Sequence, residues 1–273
     1  MPELPEVETV RRRLEPYLTG RTLTEVEILD YRLTAPEPPE AVAARLTGMR
    51  VEAVGRRGKY LLLELGDGAA LTVHLRMTGN LLWLQAPPEH DPPFLRARAQ
   101  LDDGSYLAYT DIRRFGTWLV AEDGAEALLA GKLGPEPLGD WTSADLARAL
   151  AGRKAAVKAA LLDQRVVAGV GNIYADEALW AARVHPAAPA GRLSRARVVR
   201  VHDAVRASLQ AGIDAQGASI RDFRTPDGGY GSAQERFAAY GRGGEPCERC
   251  GTPLRRTVIA QRGTTYCPRC QRV

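Results

Sequence analysis

The alternation of apolar and polar positions divides the chain near residue 130 into a part with strand periodicity and a part with helix periodicity. A helix comes first. After Pro5 the apolar residues Val7, Val10, Leu14 and Leu18 recur at i, i+3, i+7 and i+11, and the pattern stops at Thr19-Gly20. This is the stripe of an amphipathic helix, with Arg11, Arg12 and Arg13 on its other face. From residue 22 to about 120 the apolar runs are short, as in Tyr60–Leu65, Leu71–Leu75 and Tyr106–Tyr109. Gly66-Asp67-Gly68 and Asp102-Asp103-Gly104 separate such runs and suit hairpin turns. Many short strands with tight turns predict a β-sandwich or flattened barrel. Gly131 to Trp141, punctuated by Gly134, Pro135, Pro137 and Gly139, reads as a linker. Beyond it Thr142-x-x-Asp145 has the form of a capping box, and helical patterns follow near 154–163, 172–182 and 194–214. Gly217 to Gly244 is rich in glycine and polar residues and too long for an inert connector, so it reads as a functional loop.

Length and composition bound this picture. At 273 residues the chain exceeds one small core and suits two domains plus an appendage. Hydrophobic content of 45% with 26% charged residues is that of a globular protein and excludes a disordered or fibrous chain. There is no run of 18 apolar residues and no basic-then-apolar leader, which predicts a cytosolic protein with no membrane span. The net charge of +4 is unevenly placed. From Tyr240 onward seven arginines face two glutamates, net +5, leaving −1 for everything before. A basic tail on a near-neutral body points to a polyanionic partner. Lysine is scarce, confined to Lys59, Lys132, Lys154 and Lys158.

All four cysteines lie in that tail. Cys247 and Cys250 form one C-x2-C, and after 16 residues Cys267 and Cys270 form another. Two such knuckles joined by a hairpin place four thiolates tetrahedrally around one structural Zn2+, and a segment this short has too little core to fold without metal. With all four ligand positions filled, no open site remains for a catalytic water. A pair of disulfides is the alternative, disfavoured in a chain read as cytosolic.

The first residues carry a second chemical signal. An initiator Met before Pro2 is commonly trimmed, which exposes a secondary amine titrating near ~8, a nucleophile able to form an imine with a carbonyl-like carbon. Glu3 and Glu6 supply an acid and a charge-balancing neighbour. By themselves these residues read equally as an acidic helix start with Pro5 in its first turn. A third signal is Ala168-Gly169-Val170-Gly171-Asn172-Ile173-Tyr174 between two predicted helices. Its glycines allow a tight turn, Asn172 is a good N-cap, and Lys158 lies one turn above the end of the preceding helix. Together they describe a helix–two-turn–helix module gripping a DNA phosphate; the glycines alone would also fit an ordinary helical hairpin.

The stretches MPELPEVETVRR, RRGKYLL (56–62), HLRMTG (74–79), DIRRFG (111–116), KAALLDQRVVAGVGNIYADE (158–177) and YGRGGEPCERCG with QRGTTYCPRCQ, in this order, span essentially the whole chain. The chain thereby resembles the formamidopyrimidine-DNA glycosylase family, repair enzymes acting on 8-oxoguanine and ring-opened purines. The resemblance implies a multidomain α+β protein: a catalytic β-sandwich with an N-terminal helix over 1–130, a helical domain over 131–239 with a lesion-recognition lid at about 217–232, and a zinc ribbon over 240–273. It implies a monomer acting on damaged double-stranded DNA at the nucleoid, excising the base and cleaving the strand by β,δ-elimination. Pro2 would attack C1′, Glu3 would assist sugar-ring opening with Glu6 beside it, and Lys59 would act near the departing base. Arg262 would hold the lesion phosphate. Lys158, Asn172, Tyr240 and Arg256, with His74 and Arg153, would contact other phosphates. Met77, Arg113 and Phe115 would wedge into the stack, Arg113 meeting the orphaned cytosine. Read locally, Met77 and Phe115 could equally be core; the glycines that follow, in Thr78-Gly79 and Phe115-Gly116, favour exposed loops.

Two stretches depart from the family pattern. Ala218-Ser219-Ile220-Arg221-Asp222 is less threonine-rich than other lids, and Phe94-Leu95-Arg96 lacks a histidine before the arginine, so contacts there are not carried over. A sister branch similar to endonuclease VIII shares Pro2, Glu3, a lysine, the two-turn module and zinc but acts on oxidised pyrimidines. The two-loop wedge and the long lid favour the purine branch. A non-catalytic zinc-ribbon binder of damaged DNA is the alternative from another class, and it would need none of Pro2, Glu3 and Lys59.

Overall fold

The computed structural model describes residues 1–272, which form two compact units, one of 1–130 with 215–232 and the other of 131–214 with 233–272. The first unit opens with α1 (Leu4–Leu18). Val7, Val10, Leu14 and Leu18 are fully buried, the stripe the sequence marks. Then follow β1 (Leu23–Ile28), α2 (Pro39–Leu46), β2 (Val51–Arg57), β3 (Tyr60–Leu65), β4 (Ala70–His74), β5 (Gly79–Leu84), β6 (Leu95–Leu101), β7 (Tyr106–Asp111), β8 (Thr117–Ala121) and α3 (Ala125–Leu129). The strands make two antiparallel four-stranded sheets, in orders β1-β6-β7-β5 and β2-β3-β4-β8. Inward residues of both, among them Val26, Ala99, Tyr109, Leu61, Leu71 and Trp118, join the α1 stripe in one core, a sandwich with a helix against it. The helix α2 lies inside the stretch read as strands alone. Its signal was present, since Pro39 suits a first helical turn and Ala41, Ala43 and Ala44 favour the helix.

The second unit holds α4 (Ser143–Leu150), α5 (Val157–Leu162), α6 (Asn172–Ala182), α7 (Arg195–Asp214) and the ribbon hairpin β9 (Arg255–Ile259) and β10 (Arg262–Tyr266). The box capping α4 is present: Asp145 N donates to Thr142 Oγ1 at 3.2 Å and Thr142 N to Asp145 Oδ2 at 2.8 Å. The helix expected over 154–163 begins only at Val157. The amides of Val157 and Lys158 instead donate to Ala188 O (2.8 Å) and Pro186 O (3.2 Å), so the incoming chain pairs with 186–189.

The compact units divide the chain differently from the sequence reading. Residues 215–232 pack with the sandwich, where Phe223 enters its core. The ribbon joins the helices: Gln271 Nε2 donates to Val184 O (3.0 Å), Thr265 N to Asp176 Oδ2 (3.0 Å) and Arg249 Nη1 to Trp180 O (2.6 Å), with the Arg249 guanidinium 3.7 Å over the Trp180 ring. Among the described residues no helix is long and apolar enough to cross a membrane.

Candidate active site and nucleic-acid interface

In the first unit the head of α1 is buried, Glu3 2% and Glu6 1% exposed, with Pro2 beneath an exposed Met1. Glu3 is the N-cap, and its N–H donates to Glu6 Oε2 at 2.7 Å. The other oxygen of Glu6 accepts from Ala218 N, also at 2.7 Å. One carboxylate therefore joins the chain start to the 215–232 segment. That segment is tied again at Asn80, whose amide donates to Asp222 O (3.0 Å) and accepts from Arg224 N (2.8 Å). Arg13 on α1 reaches Asp227 (2.8 Å) and Gln216 (3.0 Å). None of these ties is visible in the sequence, because each partner lies more than 100 residues away.

Lys59 sits in the tight turn between β2 and β3 and is 6% exposed. The turn is fixed to α1 by a relay the sequence reading missed. Glu8 Oε2 accepts from Arg56 Nε (3.0 Å), and Arg56 Nη1 donates to Gly58 O (3.0 Å). Burial alone would raise the Glu8 carboxyl, but Arg11, Arg12 and Arg56 together hold it below the usual range. His74, paired across the sheet with Tyr60, is also buried. Its Nδ1 accepts from Arg76 N at 2.9 Å, so its proton sits on Nε2. Burial, then the charges of Arg76 and Lys59, pull its pKa down to about 3.

The wedge candidates stand on two loops. Arg113 and Phe115 are exposed, Phe115 by 51%, and the Arg113 guanidinium lies 4.8 Å from the Phe115 ring centroid. Neither is core. Met77 is half-buried at the other loop.

In the second unit Arg262 and Arg256 are exposed on the ribbon hairpin. Its two-residue turn, Ala260-Gln261, has φ of +50° and +58°, the left-handed pair of a type I′ turn made without glycine or asparagine. Tyr240 is half-buried, its N–H donating to Glu177 Oε1 at 2.7 Å. Glu177 also accepts from Ala238 and Ala239, each at 2.9 Å, and burial raises its pKa. Arg153 is half-buried against Asp163 (3.2 Å).

Two expectations are corrected. Lys158 is 0% exposed: its Nζ lies 2.7 Å from Asp176 Oδ1 and donates to Thr264 Oγ1 (2.8 Å) and Gly263 O (3.1 Å). A cation sealed against a buried carboxylate is closed to a phosphate; Lys158 instead clamps α5 to α6 and the ribbon. Asn172 is the first residue of α6 rather than its cap, which is Gly171, and its Nδ2 donates to Gly263 O at 3.0 Å. It braces the hairpin next to Arg262.

The four cysteine sulfurs lie within 4.8 Å of one another, with Cys247 and Cys267 buried and none in a disulfide. Four converging thiols in two C-x2-C knuckles are the donor set of one structural zinc ion, and these residues fit it. A buried chain start joined to a segment from elsewhere in the chain, a buried lysine in a turn tied to α1, an arginine-bearing ribbon with four converging cysteines and a two-turn helical module are the features of a protein of the DNA base-excision class.

The family models agree along the chain. The formamidopyrimidine-DNA glycosylase N-terminal domain matches residues 1–118, its H2TH domain 133–224, and a zinc finger found in FPG and IleRS 244–273. The chain is 48% identical over 273 residues to the formamidopyrimidine-DNA glycosylase of Chloroflexus aggregans, covering 99% of this chain and 98% of the relative. It is 47% identical to that of Heliobacterium modesticaldum, covering 100% of each. The fold superposes on Lactococcus lactis Fpg bound to DNA with an abasic site at a TM-score of 0.91, with 35% identity over 99% of this chain and 100% of that one. For the same protein with DNA containing N7-benzyl-Fapy-dG the TM-score is 0.90, with 36% identity over 100% of each chain. The chain belongs to the formamidopyrimidine-DNA glycosylase family, whose members are N-glycosylases with AP lyase activity.

Proposed function

We propose that this protein, as a monomer in the cytoplasm, excises oxidised purines, 8-oxoguanine and formamidopyrimidines, from duplex DNA at the chromosome and cleaves the strand at the resulting site. The observation that carries the reading is the double use of Glu6, whose two oxygens hold the N-cap of the chain start and Ala218 of the lid segment at 2.7 Å each. A lid latched through Glu6 to the N-cap that follows Pro2 closes over whatever Pro2 attacks, and the full-length likeness to glycosylases gives that target as a damaged nucleotide.

A glycosidic carbon within a stacked duplex is out of reach, so the nucleotide is turned out and its place filled. Met77 and Phe115 fill the stack and Arg113 faces the orphaned cytosine. The Pro2 amine, free once Met1 is removed, bonds to C1′ as the C1′–N9 bond breaks and the base leaves with a proton. Glu3 protonates the ring oxygen as the sugar opens, giving an iminium at Pro2. Lys59 serves near the departing base and in loss of the 3′ phosphate. A second elimination releases the 5′ phosphate, held by Arg262, and water returns the Pro2 amine. Arg256, Tyr240, Asn172, Arg153 and the Nε2–H of His74 supply further phosphate contacts. Zinc, held by Cys247, Cys250, Cys267 and Cys270, keeps the ribbon folded.

The test compares duplexes carrying 8-oxoguanine or an oxidised pyrimidine opposite cytosine, cut by the protein with and without an N-terminal extension that blocks Pro2. Purine-selective cutting that vanishes on extension while DNA binding survives is expected. Faster cutting of the pyrimidine would move the protein to the endonuclease VIII-like reading, and cutting that survives extension would exclude the Pro2 amine.

A further inference from the structure

Asp111 ends β7 and is 1% exposed, yet no step of the reaction uses it. Its carboxylate is surrounded by donors from two loops. Oδ1 accepts from the Thr78 hydroxyl, in the loop carrying Met77, and from Arg113 N (3.1 Å). Oδ2 accepts from Phe115 N (2.9 Å) and Gly116 N (2.8 Å). Thr78 Oγ1 accepts in turn from Arg113 N at 3.0 Å, closing a ring between the loops. All four donors on the carboxylate are neutral, so the charge is held by oriented dipoles and no cation competes with the loops for it.

Around this carboxylate the rest of the loop is pinned so that alternate residues face outward. Arg114, at φ +59°, turns its guanidinium to the buried Asp30 (Nη2–Oδ1 2.9 Å), while Arg113 and Phe115 on either side stand exposed. Tyr109, two residues before Asp111 on β7, puts its hydroxyl between the loops at Gly79 and Gly116. A Cβ at either would lie 2.3 Å or 1.7 Å from that oxygen, so only glycine fits.

We infer that Asp111 is the positioning residue of the wedge: its buried carboxylate sets the Met77 loop and the Arg113–Phe115 loop in register and thereby governs how the base opposite the lesion is read. This rests on the wedge reading above.

The test is Asp111→Asn, near-isosteric but able to accept at only one oxygen, so the two donors on the other position face an NH2 group. Cutting of 8-oxoguanine is compared opposite cytosine and opposite adenine, beside cutting of a single-stranded abasic oligonucleotide, which has no orphaned base. The cytosine-over-adenine ratio in kcat/KM is expected to fall roughly fivefold, the weight of about one hydrogen bond in a rate ratio, with single-strand cutting unchanged. Thr78→Val, which removes one donor, should move the ratio the same way and carries the test if Asp111→Asn does not fold. In an Arg113→Ala background Asp111→Asn should add no further loss of ratio. A normal ratio in Asp111→Asn with a reduced one in Arg113→Ala overturns the inference and leaves the wedge standing. A normal ratio in Arg113→Ala removes the wedge reading and the inference with it.

Discussion

Glu6 and Glu8, two residues apart on α1, are both buried acids whose partners decide their use. Glu6 accepts from the backbone amides of Glu3 and Ala218, binding two segments together through one carboxylate. Glu8 gathers Arg11, Arg12 and Arg56, and through Arg56 holds the Lys59 turn against the helix that follows Pro2. His74 allows the electrostatics of this region to be measured. The unfolded chain takes up a proton near pH 6.5, whereas the folded one does so only near 3. Stability from the neutral ring is therefore complete above pH 6.5 and declines as pH falls. Between pH 6.5 and 5 the loss is ~2 kcal/mol by linkage. The stability gap between the protein and a His74→Gln variant, measured by denaturant unfolding, should narrow by about that much from pH 7 to pH 5. A gap independent of pH would contradict a buried neutral His74.

At the scale of elements, periodicity marked α1, α6 and α7 because their apolar faces repeat within a few residues. It failed where a distant segment competes, as at the start of α5, whose first amides bond to Ala188 and Pro186. Lys158 was read as a surface cation for the same reason: its counter-ion Asp176 lies on α6 and its other partners on the ribbon. Asp111 sat within a recognised motif, but its role depends on two loops meeting in space. The Lys158 clamp and the ribbon arginines predict opposite signatures. Lys158→Met leaves Asp176 buried without its partner and should cost ~3–5 kcal/mol in unfolding, with the salt dependence of DNA binding unchanged. Arg256→Ala should leave stability alone and reduce the log–log salt slope by about 1. A reduced slope in Lys158→Met, without loss of stability, would return that residue to the phosphate.

Over the whole molecule, the order of chemical signals was legible because each is local: Pro2-Glu3 at the start, glycines before α6, two C-x2-C pairs at the end. The division into compact units was not, since residues 215–232 return to the sandwich and the ribbon merges with the helices through Asp176, Trp180 and Val184. The ribbon's few apolar residues cluster with its cysteines, so metal binding and folding are one event there. Cys247→Ser should lose zinc and DNA affinity together; unchanged affinity in the zinc-free variant would remove the ribbon from the interface. The Pro2 amine is tested by borohydride trapping on a duplex with one 8-oxoguanine opposite cytosine, followed by mass spectrometry of the crosslinked peptide. A crosslink on Pro2, with Met1 absent and stronger than on an oxidised-pyrimidine duplex, is the predicted result. A crosslink on Lys59, or none from zinc-loaded protein lacking Met1, would exclude Pro2 as the nucleophile.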